Sequence, residues 1–249
     1  MCAFLLLSRD GKRHIVPEGT GLVRVNGLGI VDRTHLSASD FGRNVTVAGK
    51  SFTLLPPTLD DFLNCISRGP QIITAKDAAQ IVQSLGIHSG SRVVEGGAGS
   101  GSLTVALLNA VHPLGEVITV DLRREYVLLA LENVTRCGFQ SSWRPVVGDI
   151  RTPLMPDYAD AMVIDVPDPW AVIHSACITL KPGGILTVYS PTINQTEKTV
   201  VTAGSSCLMH ERSFEVILRR LDISEGASRH SFDTLGHTGY VSVFRKVVV

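Results

Sequence analysis

The chain has 249 residues, of which 44% are hydrophobic and 18% are charged, a balance typical of a globular protein with a large core. Lys and Arg number 23, as do Asp and Glu, so net charge attracts no polyanion, and any contact with nucleic acid has to use a local basic patch. Five scattered cysteines without a Cys-x-x-Cys pair exclude a zinc site and a disulfide framework, and they predict a metal-free protein of a reducing compartment, the cytoplasm or a eukaryotic nucleus.

The first 57 residues predict a small β module. Short alternating apolar runs are broken by glycine, and the runs on either side of Ala48 and Gly49 predict a hairpin. The apolar run 3–7 is too short for a signal sequence or a membrane span, so no membrane association is expected. Residues 58–90 predict a helical connection, in which Thr58 and Asp61 cap one helix and Gly86 ends a second.

Strand and helix patterns alternate through the remaining region, 91–249. This alternation predicts an α/β fold with a parallel sheet, helices on both faces and ligands beyond the carboxyl ends of the strands. The last two apolar runs are too close for a helical crossover and predict an antiparallel pair at one edge of the sheet. The predicted strands are 92–95, 117–120, 162–165 and 184–189, the helices are 102–111, 124–137 and 170–180, and the edge runs are 214–218 and 239–243.

A glycine-rich segment follows the first strand of this region. Gly97, Gly99 and Gly101 allow positive φ and a close approach of the backbone to a ligand, and Asp121 ends the next strand, where a carboxylate can accept both hydroxyls of a ribose. Glu95 precedes the glycines, and an acidic residue there suits a cofactor with an amino group and a sulfonium better than a pyrophosphate. The pattern therefore favours S-adenosyl-L-methionine, with a purely structural turn as the alternative.

Carboxylates follow two later strands. Asp149 comes after Val146 and Val147, which end a further strand between 117–120 and 162–165, and it can accept the adenine amino group of such a cofactor, although Gly-Asp is also an ordinary turn. The run Asp165-Val-Pro-Asp-Pro-Trp170 begins at the end of the predicted strand 162–165, and its prolines make a rigid loop suited to an amino-bearing ring. Asp165 is the candidate catalytic residue, whereas Asp168 is interpreted as a helix N-cap with Pro169 in the first turn.

Taken in order, several motifs resemble the tRNA (adenine-N1)-methyltransferases that modify T-loop position 58. The motifs are the run from Gln71 to Ala79, the glycine loop with Ser100 to Thr104, the Asp165 loop, Ser190 to Gln195, and Gly236 to Gly239. The resemblance implies a Rossmann-like methyltransferase domain with a small N-terminal β domain, tRNA as substrate, and a homotetramer or a pairing with a paralogous subunit. By position it assigns Asp165 to the target adenine and to the cofactor the residues Glu95, Ser102, Leu103, Asp121, Tyr126 and Asp149.

Thr74 is the main departure from this family. The family has a tyrosine there that helps to line the adenine pocket, and its stacking is missing in this chain. Trp170 and Tyr189 are candidate replacements in the substrate pocket, and a place in the core is the alternative for both, with equal weight for Trp170.

Two functions from different classes follow. The first is methyl transfer from S-adenosyl-L-methionine to N1 of adenine in tRNA. The second is a tRNA-binding partner subunit without chemistry, which loss of the glycine loop and of Asp165 would mark, and both are present. A protein or small-molecule methyltransferase of the same fold is a third reading, and it has no need of the N-terminal β module.

Overall fold

The computed structural model describes residues 3–66 and 72–248. Cys2 and Gln71, which belong to the sequence patterns above, lie outside these ranges. No helix within them is long and apolar enough to cross a membrane.

The N-terminal β module contains six short strands and its own apolar core. Four strands form an antiparallel sheet in the order β2-β1-β6-β5, and the other two form a separate hairpin. Phe4, Leu6, Phe52 and Leu54 are buried between these layers. The strands are β1 (Ala3–Leu7), β2 (Arg13–Pro17), β3 (Leu22–Val25), β4 (Gly29–Asp32), β5 (Asn44–Val47) and β6 (Lys50–Leu55).

The predicted hairpin turn is confirmed. Ala48 and Gly49 both have positive φ, 51° and 73°, between paired strands β5 and β6. Such a turn matches the twist of the flanking strands. The run 3–7, considered above only as a membrane segment, forms the strand β1, which pairs with both β2 and β6.

Two helices lie between strand β6 and the first strand of the larger sheet. Helix α1 (Leu59–Cys65) begins with a capping box, in which Thr58 accepts from the Asp61 amide and Asp61 accepts from the Thr58 amide. Helix α2 (Ala75–Leu85) ends at Gly86, whose φ of 61° is the left-handed conformation that glycine favours.

The larger sheet has seven strands in the order β12-β15-β11-β10-β7-β8-β9. Strands β11, β10, β7, β8 and β9 run parallel, and β15 and β12 add antiparallel at one edge. Apolar clusters cover both faces. Its strands are β7 (Arg92–Gly96), β8 (Glu116–Asp121), β9 (Trp143–Val147), β10 (Ala159–Ile164), β11 (Leu180–Ser190), β12 (Leu208–Glu215) and β15 (Tyr240–Lys246).

The helices of this region are α3 (Ser102–Val111), α4 (Arg124–Arg136), α5 (Ile173–Thr179) and α6 (Ile193–Ala203), and β13 (Leu221–Asp222) and β14 (Arg229–His230) form a small outlying ladder. The alternation and the antiparallel edge are confirmed, whereas α6 was not predicted. The prediction of strand over 214–218 was wrong in its bounds: the edge strand β12 starts at Leu208 and ends at Glu215. Four exposed polar residues, His210 to Ser213, break the apolar pattern of β12 and obscure it in the sequence.

Candidate active site

The glycine loop joins β7 to α3, and its glycines are required for two different reasons. Gly97, Gly99 and Gly101 have φ of 95°, 50° and 80°. A Cβ on Gly97 would lie 2.2 Å from the carbonyl oxygen of Asp165, and one on Gly101 would lie 3.0 Å from Ala130 Cα, whereas Gly99 faces open space. The absence of side chains therefore brings the loop against the end of β10 and seats α3 on α4.

Asp121, at the carboxyl end of β8, holds the glycine loop. Its Oδ2 accepts from the Ala98 amide at 2.8 Å, and its Oδ1 accepts from the Arg123 amide at 2.8 Å. The carboxylate is 6% exposed, and each oxygen keeps a second lone pair for a ligand. On the other side of the loop, Asn133 donates to the Ser100 carbonyl at 2.8 Å.

Glu95 lies under the loop and is 1% exposed. Its Oε2 accepts from Thr104 at 2.6 Å and from Thr119 at 2.7 Å, while Oε1 is buried and has no hydrogen-bond partner among the described residues. Burial raises the pKa of Glu95 to about 8, with further contributions from Asp165 and Asp121. A buried oxygen without a partner is costly, and a cationic group of a ligand would satisfy it.

Asp165 is the first residue after β10. Its amide donates to the Gly96 carbonyl at 2.8 Å, which fixes the backbone, but its carboxylate has no hydrogen-bond partner in the described part of the chain. Burial, followed by the charge of Asp121, raises its pKa to about 6. The side chain is therefore positioned by the sheet and free to accept a hydrogen bond from a ligand.

A cavity of about 150 Å³ lies at the carboxyl ends of β7, β8, β9 and β10. It brings together four of the predicted site residues, Gly97, Asp121, Asp149 and Asp165. The parallel sheet explains this meeting, because its strands all end at the same edge.

Other predicted site residues lie beside this cavity and do not line it. Ser102 donates to the Ile73 carbonyl at 3.1 Å, and Leu103 is buried in the core. Tyr126 is half-buried, with the Arg123 guanidinium 3.7 Å from its ring centroid, so that Arg123 lies between the ring and the cavity. These three side chains shape the surroundings of the loop.

The two aromatic candidates have different surroundings. Trp170 packs under helix α6, with Lys198 Nζ 3.8 Å from its ring centroid, and is not part of the cavity wall. Tyr189 is buried on β11 with its ring against Gly239, and burial, followed by the nearby charge of Asp77, raises its pKa. Tyr189 therefore lies nearer to the Thr74 segment than Trp170 does.

A buried polar cluster occupies the position of the missing family tyrosine. Thr74 donates to Asp77 Oδ2 at 2.7 Å, and Lys76 donates to Asp77 Oδ1 at 2.8 Å, to Thr238 at 2.6 Å and to the Val216 carbonyl at 2.7 Å. All three ammonium hydrogens have acceptors. The cluster ties the start of α2 to the segment between β12 and β15.

The motifs Ser190 to Gln195 and Gly236 to Gly239 had no role assigned from the sequence, and both contact loops around the site. Thr192 caps α6, and Gln195 of that helix donates to the Pro167 carbonyl at 2.9 Å, which supports the Asp165 loop. His237 contacts both Glu215 and the Pro191 carbonyl, and these two acceptors raise its pKa.

Asp168 is the N-cap residue of its turn, with Pro169 in the first position, as the sequence predicted. Asp168 makes no side-chain capping hydrogen bond to the turn that begins at Pro169, and its carboxylate instead lies 3.4 Å from Arg151. Arg151 was not recognised from the sequence, because its two acidic partners lie on different loops.

The fold and this cavity define the chain as a Rossmann-like methyltransferase with an added N-terminal β module. A crystal structure of a SAM-dependent O-methyltransferase from Thermotoga maritima superposes with a TM-score of 0.86 at 28% identity, covering 99% of this chain and 93% of that one. The tRNA (m1A58) methyltransferase TrmI from Aquifex aeolicus shares the fold with a TM-score of 0.78 at 24% identity, covering 99% and 97%.

Sequence comparison is more specific. Residues 52–234 match the family described as tRNA methyltransferase complex GCD14 subunit. The chain is 32% identical to tRNA (adenine(57)-N(1)/adenine(58)-N(1))-methyltransferase TrmI from Methanocaldococcus jannaschii over 97% of this chain and 94% of that protein. It is 29% identical to tRNA (adenine(58)-N(1))-methyltransferase TrmI from Thermus thermophilus, over 97% and 96%. The chain belongs to this family of tRNA methyltransferases.

Proposed function

We propose that the protein methylates N1 of adenine at T-loop position 58 of tRNA, with S-adenosyl-L-methionine as methyl donor. The observation that carries this proposal is the free carboxylate of Asp165, held at the edge of a cavity that also contains Gly97 and Asp121. The family of the chain and the names of its relatives supply the substrate.

The residues present fit the methyl donor. Gly97 belongs to the cavity wall without a side chain, Asp121 has lone pairs for ribose hydroxyls, and Glu95 Oε1 is a buried acceptor for an ammonium group. Tyr126 and Asp149 lie around the same edge of the sheet, where the family assigns them to the cofactor. When bound, the donor supplies a methyl group already activated by a sulfonium.

The protein's own contribution is orientation and charge. Asp165 accepts a hydrogen bond from the adenine N6 amino group and so aims the N1 lone pair at the methyl carbon. As N1 gains the methyl group and the methyl–sulfur bond of the donor breaks, the product S-adenosylhomocysteine is left and the adenine becomes cationic. The carboxylate stabilises that charge in a low-dielectric site. N1 lies on the base-pairing edge, so the nucleotide has to swing out of the folded tRNA to reach Asp165.

The N-terminal β module supports tRNA as the substrate. Residues 1–57 contain seven Lys and Arg against four Asp and Glu, so that the neutral chain has a basic N-terminal part. This excess of positive charge is compatible with the phosphate contacts that tRNA binding requires.

The test is methylation of unmodified tRNA by the purified protein with isotope-labelled donor, followed by digestion and mass mapping. We expect label in 1-methyladenosine at position 58 with the wild type and a large loss with Asp165→Ala. Label at position 57 as well would match the wider specificity named for the archaeal relative. If the protein binds the donor but transfers no label to tRNA, the result would favour the partner-subunit function or an acceptor other than tRNA.

We also propose that four copies form the working unit. Large apolar side chains are exposed along one connection, 217–235, and Phe232 there is 84% exposed. Exposed apolar surface of this extent is typical of a subunit interface, and a second copy is its proposed occupant. Light scattering is expected to give a tetramer and Phe232→Ser to weaken it, whereas a wild-type monomer with intact tRNA methylation would overturn this assembly. The exposed apolar residues of this segment are Ile217, Leu218, Leu221, Ile223, Phe232 and Leu235.

A further inference from the structure

Arg151 reaches across the mouth of the cofactor cavity. Its Nε lies 2.9 Å from both carboxylate oxygens of Asp149, and its Nη2 lies 2.7 Å from Asp149 Oδ2. Its Nη1 lies 3.4 Å from Asp168 Oδ2 on the loop after β10. The side chain therefore connects the β9 wall of the cavity to the β10 wall, and it is 48% exposed.

This arrangement occupies most of the acceptor capacity of Asp149. The Arg151 amide donates to Oδ1 at 3.0 Å, Nη2 donates to Oδ2, and the single Nε hydrogen is shared between the two oxygens. Three N–H groups of Arg151 therefore bind a carboxylate that has about four lone-pair sites. Hydrogen bonds from Arg151 also lower the pKa of Asp149, which keeps the carboxylate charged.

The cavity also has a small volume when Arg151 is bound to Asp149. Its volume is about 150 Å³. Sites for small molecules and cofactors usually hold roughly 300–1,000 Å³. Arg151 and Asp168 both belong to the wall, so the position of the Arg151 side chain limits the width of the site.

We propose that Arg151 and the adenine amino group of the cofactor compete for Asp149, so that Arg151 sets the affinity for cofactor and product. The inference rests on the proposed function, in which Asp149 accepts from that amino group. Asp168 gives the displaced guanidinium a second partner, which keeps its charge compensated when the adenine takes its place. An exposed ion pair is weak enough to be exchanged in this way.

The competition predicts that substitutions of Arg151 and of Asp168 change the affinity for S-adenosylhomocysteine in opposite directions. Arg151→Gln frees Asp149 and is expected to raise affinity for S-adenosylhomocysteine about three- to tenfold, as one net hydrogen bond allows. Asp168→Asn removes the second partner and is expected to lower it by about two- to threefold. Arg144→Gln is the matched control, because Arg144 is exposed near the opposite end of β9 and bonds only to nearby carbonyls.

Calorimetry with two ligands separates competition from a general charge effect. S-inosylhomocysteine has a carbonyl oxygen in place of the adenine amino group and so lacks the donor that Asp149 would accept. We expect Arg151→Gln to leave its affinity unchanged, and expect no gain for S-adenosylhomocysteine when Arg151→Gln is added to Asp149→Ala. Thermal unfolding checks that each variant is folded.

The outcomes that overturn the inference are distinct from failure of the proposed function. Unchanged or weaker binding of S-adenosylhomocysteine by Arg151→Gln, or an equal gain for both ligands, overturns the competition alone. Failure of the wild type to bind S-adenosylhomocysteine at all overturns the proposed function, and this inference with it.

Discussion

Asp165→Asn is expected to stabilise the protein while it slows catalysis. Burial and Asp121 raise the pKa of Asp165 from 3.8 to about 6. One pKa unit corresponds to about 1.4 kcal/mol, so the charged form costs about 3 kcal/mol of folding stability. Because the folded pKa is the higher one, the cost is absent below the unfolded pKa, grows as the pH rises to about 6 and is complete above it.

Denaturant unfolding of the ligand-free protein measures this cost. At about pH 7.5 we expect Asp165→Asn to raise the free energy of unfolding by about 2–3 kcal/mol, and at about pH 4 we expect a difference of less than about 1 kcal/mol. Asp168→Asn is the control from the same loop. Its carboxylate is 41% exposed, so its removal should change the free energy by less than about 1 kcal/mol.

Single-turnover methylation of tRNA with saturating donor measures the effect of Asp165 on the rate of methyl transfer. Asp165→Ala should lower the rate by about two to four powers of ten, because it removes an interaction that strengthens as the adenine becomes cationic. Asp165→Asn should be less damaging, since its carbonyl still accepts from N6. Unchanged or reduced stability of Asp165→Asn at about pH 7.5 would refute the stated cost, and a near-wild-type rate for Asp165→Ala would place the reacting base elsewhere.

Three further predictions concern the cofactor cavity. Gly97→Ala should abolish donor binding and destabilise the fold by more than about 2 kcal/mol, because Gly97 has positive φ and its Cβ would meet the Asp165 carbonyl. Gly99→Ala has open space around it and should cost only about 1 kcal/mol of folding stability. Equal effects of the two substitutions in calorimetry and thermal unfolding would contradict this distinction. Asp121→Ala should weaken donor binding about tenfold or more by removing ribose acceptors and the support of the loop, and unchanged affinity in a folded variant would contradict that role. Donor binding should release protons, most strongly between about pH 6 and 8, because its positive charges lower the raised pKa values of Glu95 and Asp165; calorimetric enthalpies that do not depend on buffer ionisation would exclude this coupling.

Local features of this protein could be predicted from its sequence. The turn at Ala48 and Gly49, the capping box of Thr58, the end of α2 at Gly86 and the glycine loop each depend on the φ preference or the side chain of a few adjacent residues. The alternation of strand and helix required a parallel sheet, and a parallel sheet places the residues after its strands at one edge. Asp121, Asp149 and Asp165 therefore met as expected without any long-range information.

The partners of these side chains were decided by tertiary structure. Glu95 lies beside Thr119 because of the register between β7 and β8, and Tyr189 reaches Asp77 from a position 112 residues further along the chain. Arg151 crosses from Asp149 to Asp168 only because β9 and β10 end on the two walls of one cavity. Trp170 follows two prolines and was predicted as a pocket residue, but its location depends on the packing of α6. Sequence periodicity specifies which face of an element is buried, whereas the identity of the residue it meets depends on the packing of elements far apart in the chain.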